Sequence, residues 1–138
     1  MEKASKQVKW MILIIDDDPN IRAYIRSIVM QLGYHVVEAK STESGLKIFQ
    51  EVQPKLVITD IILPGKNGFQ CIDEIRRLSK ETPIIAMTSN LHGRADDYLK
   101  MSKNLGATLV MYKPLTVEKV TTAVTKLYPV DVEKRAEG

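Results

Sequence analysis

Apolar residues along the chain switch repeatedly between two patterns, short continuous runs and recurrence every three or four positions. "WMILII" (10–15) is a continuous run, which predicts a strand buried on both faces. Ile21, Ile25, Ile28, Val29 and Leu32 follow at helical spacing, with Asp18 as cap, Pro19 at the first helical position and Gly33 as the stop. "HVVEA" (35–39) predicts a second strand. Ser41 or Thr42 then caps a helix with Leu46, Phe49 and Val52 on one side. Gly45 inside that helix costs about 1 kcal/mol against alanine, which points to close packing there.

"KLVITD" (55–60) is a third strand, "LPGKNG" (63–68) a loop, and Phe69, Ile72, Ile75 and Leu78 mark a helix. "PIIAMTS" (83–89) is a fourth strand, and Ala95, Leu99, Ser102 and Leu105 a helix ended by Gly106. "TLVMY" (108–112) is a fifth strand, after which Thr116 caps a last helix carrying Val120, Ala123, Val124 and Leu127. Alternation of this kind predicts a doubly wound parallel α/β sheet of five strands and five helices. Such sheets bind ligands beyond the carboxyl ends of their strands.

The residues at those ends are unusual. Strand one runs into Asp16-Asp17-Asp18 and strand three ends in Asp60. Strand four ends in Thr88-Ser89 and strand five in Lys113. Crowded carboxylates repel one another and resist desolvation. A hard divalent cation offsets that repulsion, and Mg²⁺ suits a site of one or two carboxylates that leaves positions for water and phosphate.

Composition narrows the function classes. The 138 residues suffice for one domain with a core, and a net charge of +3 says little about partners. The 20 basic residues are scattered without an aromatic-interleaved patch, which argues against nucleic-acid binding. The single cysteine, Cys71, excludes an intrachain disulfide and a cysteine-based zinc site, and fits a cytoplasmic location. Cys71 reads as a buried or half-buried filler, and His35 and His92 have no partners at metal-ligand spacing. Trp10 to Ile15 is too short for a signal peptide or a membrane span, so no membrane insertion is expected. Residues 1–9 read as a flexible N-terminal segment, 10–128 as the domain, and 129–138 as a charged C-terminal tail.

"IIDDDP", "VITDIILPGKNG", "IIAMTS" and "MYKPL" stand in this order, and with them the chain resembles a response-regulator receiver domain from about Trp10 to Tyr128. The resemblance implies a flavodoxin-like fold with strand order 2-1-3-4-5. It implies that Asp60 accepts a phosphoryl group and that Asp16 and Asp17 organise Mg²⁺, Asp17 more directly. It makes the backbone carbonyl of Ile62 a further metal ligand, beside Asp60 itself. Thr88 is the hydroxyl that turns toward the phosphoryl group, and Lys113 pairs with a phosphoryl oxygen. The Lys113–Pro114 bond is expected to be cis. The resemblance further implies a sensor histidine kinase or a histidine phosphotransfer protein as phosphodonor, and a downstream protein target as readout.

Each residue also has a plainer reading: solvated loop acids, a strand-end hydroxyl, a surface lysine. The joint pattern favours the site, while Asp18 alone stays a helix cap rather than a metal ligand. The chain departs from the family pattern in three places. Val110 stands where an aromatic switch residue is usual, with Tyr112 nearby and read as a packing residue. The segment from Thr88 to Gly106 is a few residues longer, near "NLHGRADD". Nothing after the fifth helix reads as an output domain, which suggests a single-domain regulator. Ile62 and Asn90 are expected to flank the path of a hydrolytic water, and apolar Ile62 to prolong the phosphorylated state. The competing readings are a degenerate receiver that binds a partner constitutively and a Mg²⁺-dependent phosphatase. The second lacks a second acid near Asp60 and room for a cap domain.

Overall fold

The computed structural model describes residues 10–61, 68–89 and 93–129. The strands are β1 Met11–Ile15, β2 His35–Ala39, β3 Leu56–Asp60, β4 Ile84–Thr88 and β5 Leu109–Tyr112. The helices between and after them are α1 Pro19–Gln31, α2 Thr42–Val52, α3 Gly68–Leu78, α4 Ala95–Leu105 and α5 Val117–Leu127. All strand pairs are parallel and the order is β2-β1-β3-β4-β5, the doubly wound order expected. No described helix is long and apolar enough to cross a membrane.

Strand residues alternate between two cores. Ile12, Ile14, Leu56, Ile58, Ile85 and Met87 pack in one core with Ile25, Ile28 and Val29 of α1 and Val120, Ala123 and Val124 of α5. Leu13, Ile15, Val57, Ile84 and Ala86 pack in the other with Phe49 of α2 and Cys71, Ile72 and Ile75 of α3. Burial on both faces explains why these strands read as continuous apolar runs. Each fully buried isoleucine contributes about 1.5–3 kcal/mol relative to exposure.

The helix ends follow the local chemistry. Asp18 accepts the Asn20 N–H at 2.9 Å, with Pro19 opening α1. Ser41, not Thr42, caps α2 by accepting the Ser44 N–H, and Thr116 caps α5 by accepting that of Lys119. A Cβ on Gly45 would stand 2.5 Å from Ile15 Cδ1, which is the close packing expected there. Gly106 ends α4 at φ 118°.

Some boundaries shift inward. Trp10, at φ 62°, lies before β1, so the strand starts at Met11. Lys55, Pro83, Ser89 and Thr108 also fall outside their strands. Gln53 ends α2 in the left-handed region at φ 54°, where no glycine signals the stop. The "LPGKNG" loop up to Asn67, Asn90–His92 and both terminal segments up to Lys9 and from Val130 lie outside the described residues.

Candidate functional site

β1 and β3 are neighbours, with Ile15 opposite Thr59, so the acids that follow them emerge side by side. Main-chain bonds continue past the strands and fix this rim: Asp16 N–H to Ala39 O at 3.1 Å, Ile61 N–H to Met87 O at 3.0 Å, and Lys113 N–H to Thr88 O at 2.7 Å. The Lys113–Pro114 peptide is cis, as expected.

Asp16, Asp17 and Asp60 each bring a carboxylate oxygen within 4.8 Å of the others. Asp16 is fully buried, Asp60 is 5% exposed and Asp17 faces solvent. The Lys113 ammonium donates to Asp60 Oδ2 at 2.7 Å and to Asp16 Oδ2 at 3.2 Å. Burial raises the Asp16 carboxyl above its ordinary value, with the Asp60 charge adding to the rise; the Asp18 N–H and Lys113 only partly oppose this. For Lys113, burial alone would lower the ammonium pKa, but the bond to Asp60 and the charges of Asp60 and Asp16 raise it overall. Two carboxylates around one ammonium still carry net negative charge, and Asp17 adds to it. This all-oxygen donor set of closely spaced acids, one of them desolvated, fits a hard divalent cation.

Of the remaining expected residues, Thr88 lies at the same rim. Thr88 is buried at the end of β4, and its hydroxyl donates to the Ser89 carbonyl at 3.1 Å rather than to the carboxylates. Ile62 and Asn90 lie outside the described residues. Val110 is half-buried against the α3–α4 side of the sheet. Tyr112 is not a packing residue: it is 36% exposed, and its hydroxyl donates to Asp96 Oδ1 at 3.4 Å. It shares the face of Val110, but β5 is an edge strand and Tyr112 its last residue, beyond the core. Cys71 is fully buried, and burial pushes its thiol up to about 11.

One pair at the site was not foreseen. Arg22 donates from Nη1 to the Asp16 carbonyl at 2.7 Å and from Nε to Glu38 Oε1 at 2.9 Å. An arginine in the first turn of α1 and an acid inside the apolar "HVVEA" were the available signals. Linking them requires the register of β2 beside β1, in which Glu38 lies opposite Ile14.

The model of the response regulator receiver domain family matches residues 12–125. Among curated relatives, the transcriptional regulatory protein AfsQ1 of Streptomyces coelicolor is 36% identical over 97 residues, covering 64% of this chain and 43% of that protein. The sporulation initiation phosphotransferase F of Bacillus subtilis is 30% identical over 118 residues, covering 86% of this chain and 93% of that protein. The chain thus spans less than half of the first relative and nearly all of the second. A solved response regulator receiver domain protein from Clostridium thermocellum superposes with a TM-score of 0.78 at 28% identity, covering 93% of this chain and 98% of that one. A family model that spans the sheet and both helix layers, over a rim of acids, hydroxyl and lysine, leads to one conclusion: the chain belongs to the response regulator receiver domain family of two-component systems.

Proposed function

We propose that this receiver accepts a phosphoryl group on Asp60 from a sensor histidine kinase or a histidine phosphotransfer protein, with Mg²⁺ held by Asp16, Asp17, Asp60 and the Ile62 carbonyl. The observation that carries this reading is the Lys113 ammonium shared between the Asp60 and Asp16 carboxylates, with Asp17 beside them. In the transfer, the N–P bond of a phosphohistidine breaks and an O–P bond forms to an Asp60 carboxylate oxygen. The leaving imidazole nitrogen keeps the electron pair and takes a proton from solvent. Such transfers depend on positioning and on neutralising the equatorial oxygens.

Lys113 is in place to exchange its Asp60 contact for a phosphoryl oxygen. The Thr88 hydroxyl, held on the Ser89 carbonyl, can rotate to donate to another. A bound Mg²⁺ supplies the further positive charge that the phosphoryl oxygens need. The new charge at Asp60 biases the rim toward a second arrangement, which a downstream protein reads. Chemistry is confined to gain and loss of this phosphoryl group, so the chain is a signalling module rather than an enzyme on external substrates.

The sporulation initiation phosphotransferase F of Bacillus subtilis, of which the chain covers 93%, supports a phosphoryl-transfer role for the receiver. The Trp10–Tyr128 ring contact at 5.2 Å supports residues 10–128 as the signalling unit. The test is intact mass after incubation with acetyl phosphate, with and without Mg²⁺. A mass gain of one phosphoryl group that requires Mg²⁺ supports the reading. No gain under either condition overturns it in favour of constitutive partner binding.

A further inference from the structure

The Asp16–Asp18 turn is held by hydrogen bonds at Asp16 and at Asp18. The Asp16 N–H donates to Ala39 O, and Asp16 Oδ1 accepts the Asp18 N–H at 2.9 Å. Asp18 in turn caps α1. Among the described residues, the exposed Asp17 carboxylate has no hydrogen bond or ion pair. Its place is therefore set by the peptide that joins it to Asp16. The carbonyl of that peptide is the acceptor of Arg22 Nη1 at 2.7 Å.

Arg22 is well placed to hold it. Its side chain is only 18% exposed, and its Nε is engaged by Glu38 at 2.9 Å. Glu38 also takes Arg26, so the acid is fixed from two turns of α1. The planar fork lets one guanidinium donate to the carboxylate and to the carbonyl at the same time, which an ammonium cannot do with the same geometry.

We propose that Arg22 is a positioning residue for the acidic cluster: braced by Glu38, it fixes the Asp16–Asp17 peptide and so sets the affinity for a divalent cation. The inference rests on the reading above that this cluster holds Mg²⁺. Groups that orient metal ligands from behind commonly alter affinity by tenfold or more when removed.

The test is calorimetric titration of the full chain with Mg²⁺, at a temperature where circular dichroism shows every variant folded. Arg22→Gln and Arg22→Lys are compared with the wild type and with Arg26→Gln, which breaks only the outer half of the Glu38 cluster. The expected result is about tenfold weaker binding in both Arg22 variants and wild-type binding in Arg26→Gln. A structural role alone would lower the melting temperature of the Arg22 variants and leave their affinity untouched, which overturns the proposal. Wild-type affinity in Arg22→Lys overturns it as well, because charge without the fork would then suffice. Equal weakening in Arg26→Gln does the same by removing the special place of Arg22. Absence of Mg²⁺ binding in the wild type is a different failure: it overturns the metal reading and the inference with it.

Discussion

At Glu38, burial alone would raise the carboxyl, but the bonds and charges of Arg26 and Arg22 together bring it below its ordinary value of 4.5. A lowered carboxyl stabilises the fold fully above the unfolded value, and that contribution is lost as pH falls through the folded one. Glu38→Gln should cost on the order of 1 kcal/mol at pH 7, a modest figure because the pair is partly exposed. Urea midpoints in a pH series check this: the gap between wild type and variant should close below pH 4.5, and a gap constant with pH would contradict it. Cys71 offers a second residue-scale outcome. Its thiol is buried and pushed up to about 11, so in the folded chain at pH 8 it should react with a thiol reagent roughly a hundredfold or more slower than a free cysteine. A rate like that of free cysteine would show that this side of the core opens readily. The residues legible in the sequence were those at strand ends, because their position alone carries meaning in a parallel sheet. Arg22 and Glu38 were not legible, because their value lies in a contact made 16 positions apart.

The elements were legible because period and caps agree. Asp18-Pro19, Thr116 and Gly106 mark their helix ends in the sequence as they do in the fold. The stop of α2 was not, since Gln53 takes a conformation usually left to glycine or asparagine. Tyr112 was misread for a related reason: strand parity gives the face, but not where the core ends along it. Gly68 at the start of α3 shows how tightly one element sits on the site. Its N–H bonds to the Ile61 carbonyl at 2.8 Å, and a Cβ there would overlap the Asp60 carbonyl oxygen and the Ile61 Cα. Backbone cannot yield as a side chain tip can. Gly68→Ala should therefore destabilise the fold by about 1–3 kcal/mol and slow acquisition of the phosphoryl group by moving Asp60. Thermal melts and phosphorylation time courses check the two effects, and wild-type behaviour in both would show that α3 can shift freely against β3.

For the molecule as a whole, the rim gathers the carboxylates of Asp16, Asp17 and Asp60 from two strand ends around the Lys113 ammonium of a third. Cation binding there should stabilise the folded chain by mass action, by about 2.7 kcal/mol when free Mg²⁺ stands at a hundred times its dissociation constant. The melting temperature should then rise by several degrees, and Asp17→Ala should abolish most of the rise. The fold and the family were legible because four motifs fall on the ends of β1, β3, β4 and β5, which stand side by side in the sheet. The proposed role of this gathering is to serve a single acceptor, Asp60. Its most direct test is intact mass of wild type and Asp60→Asn after acetyl phosphate and Mg²⁺, each before and after hydroxylamine. One phosphoryl group is expected on the wild type, removed by hydroxylamine as an acyl phosphate is, and none on a folded Asp60→Asn. A full, hydroxylamine-sensitive adduct on Asp60→Asn would contradict it.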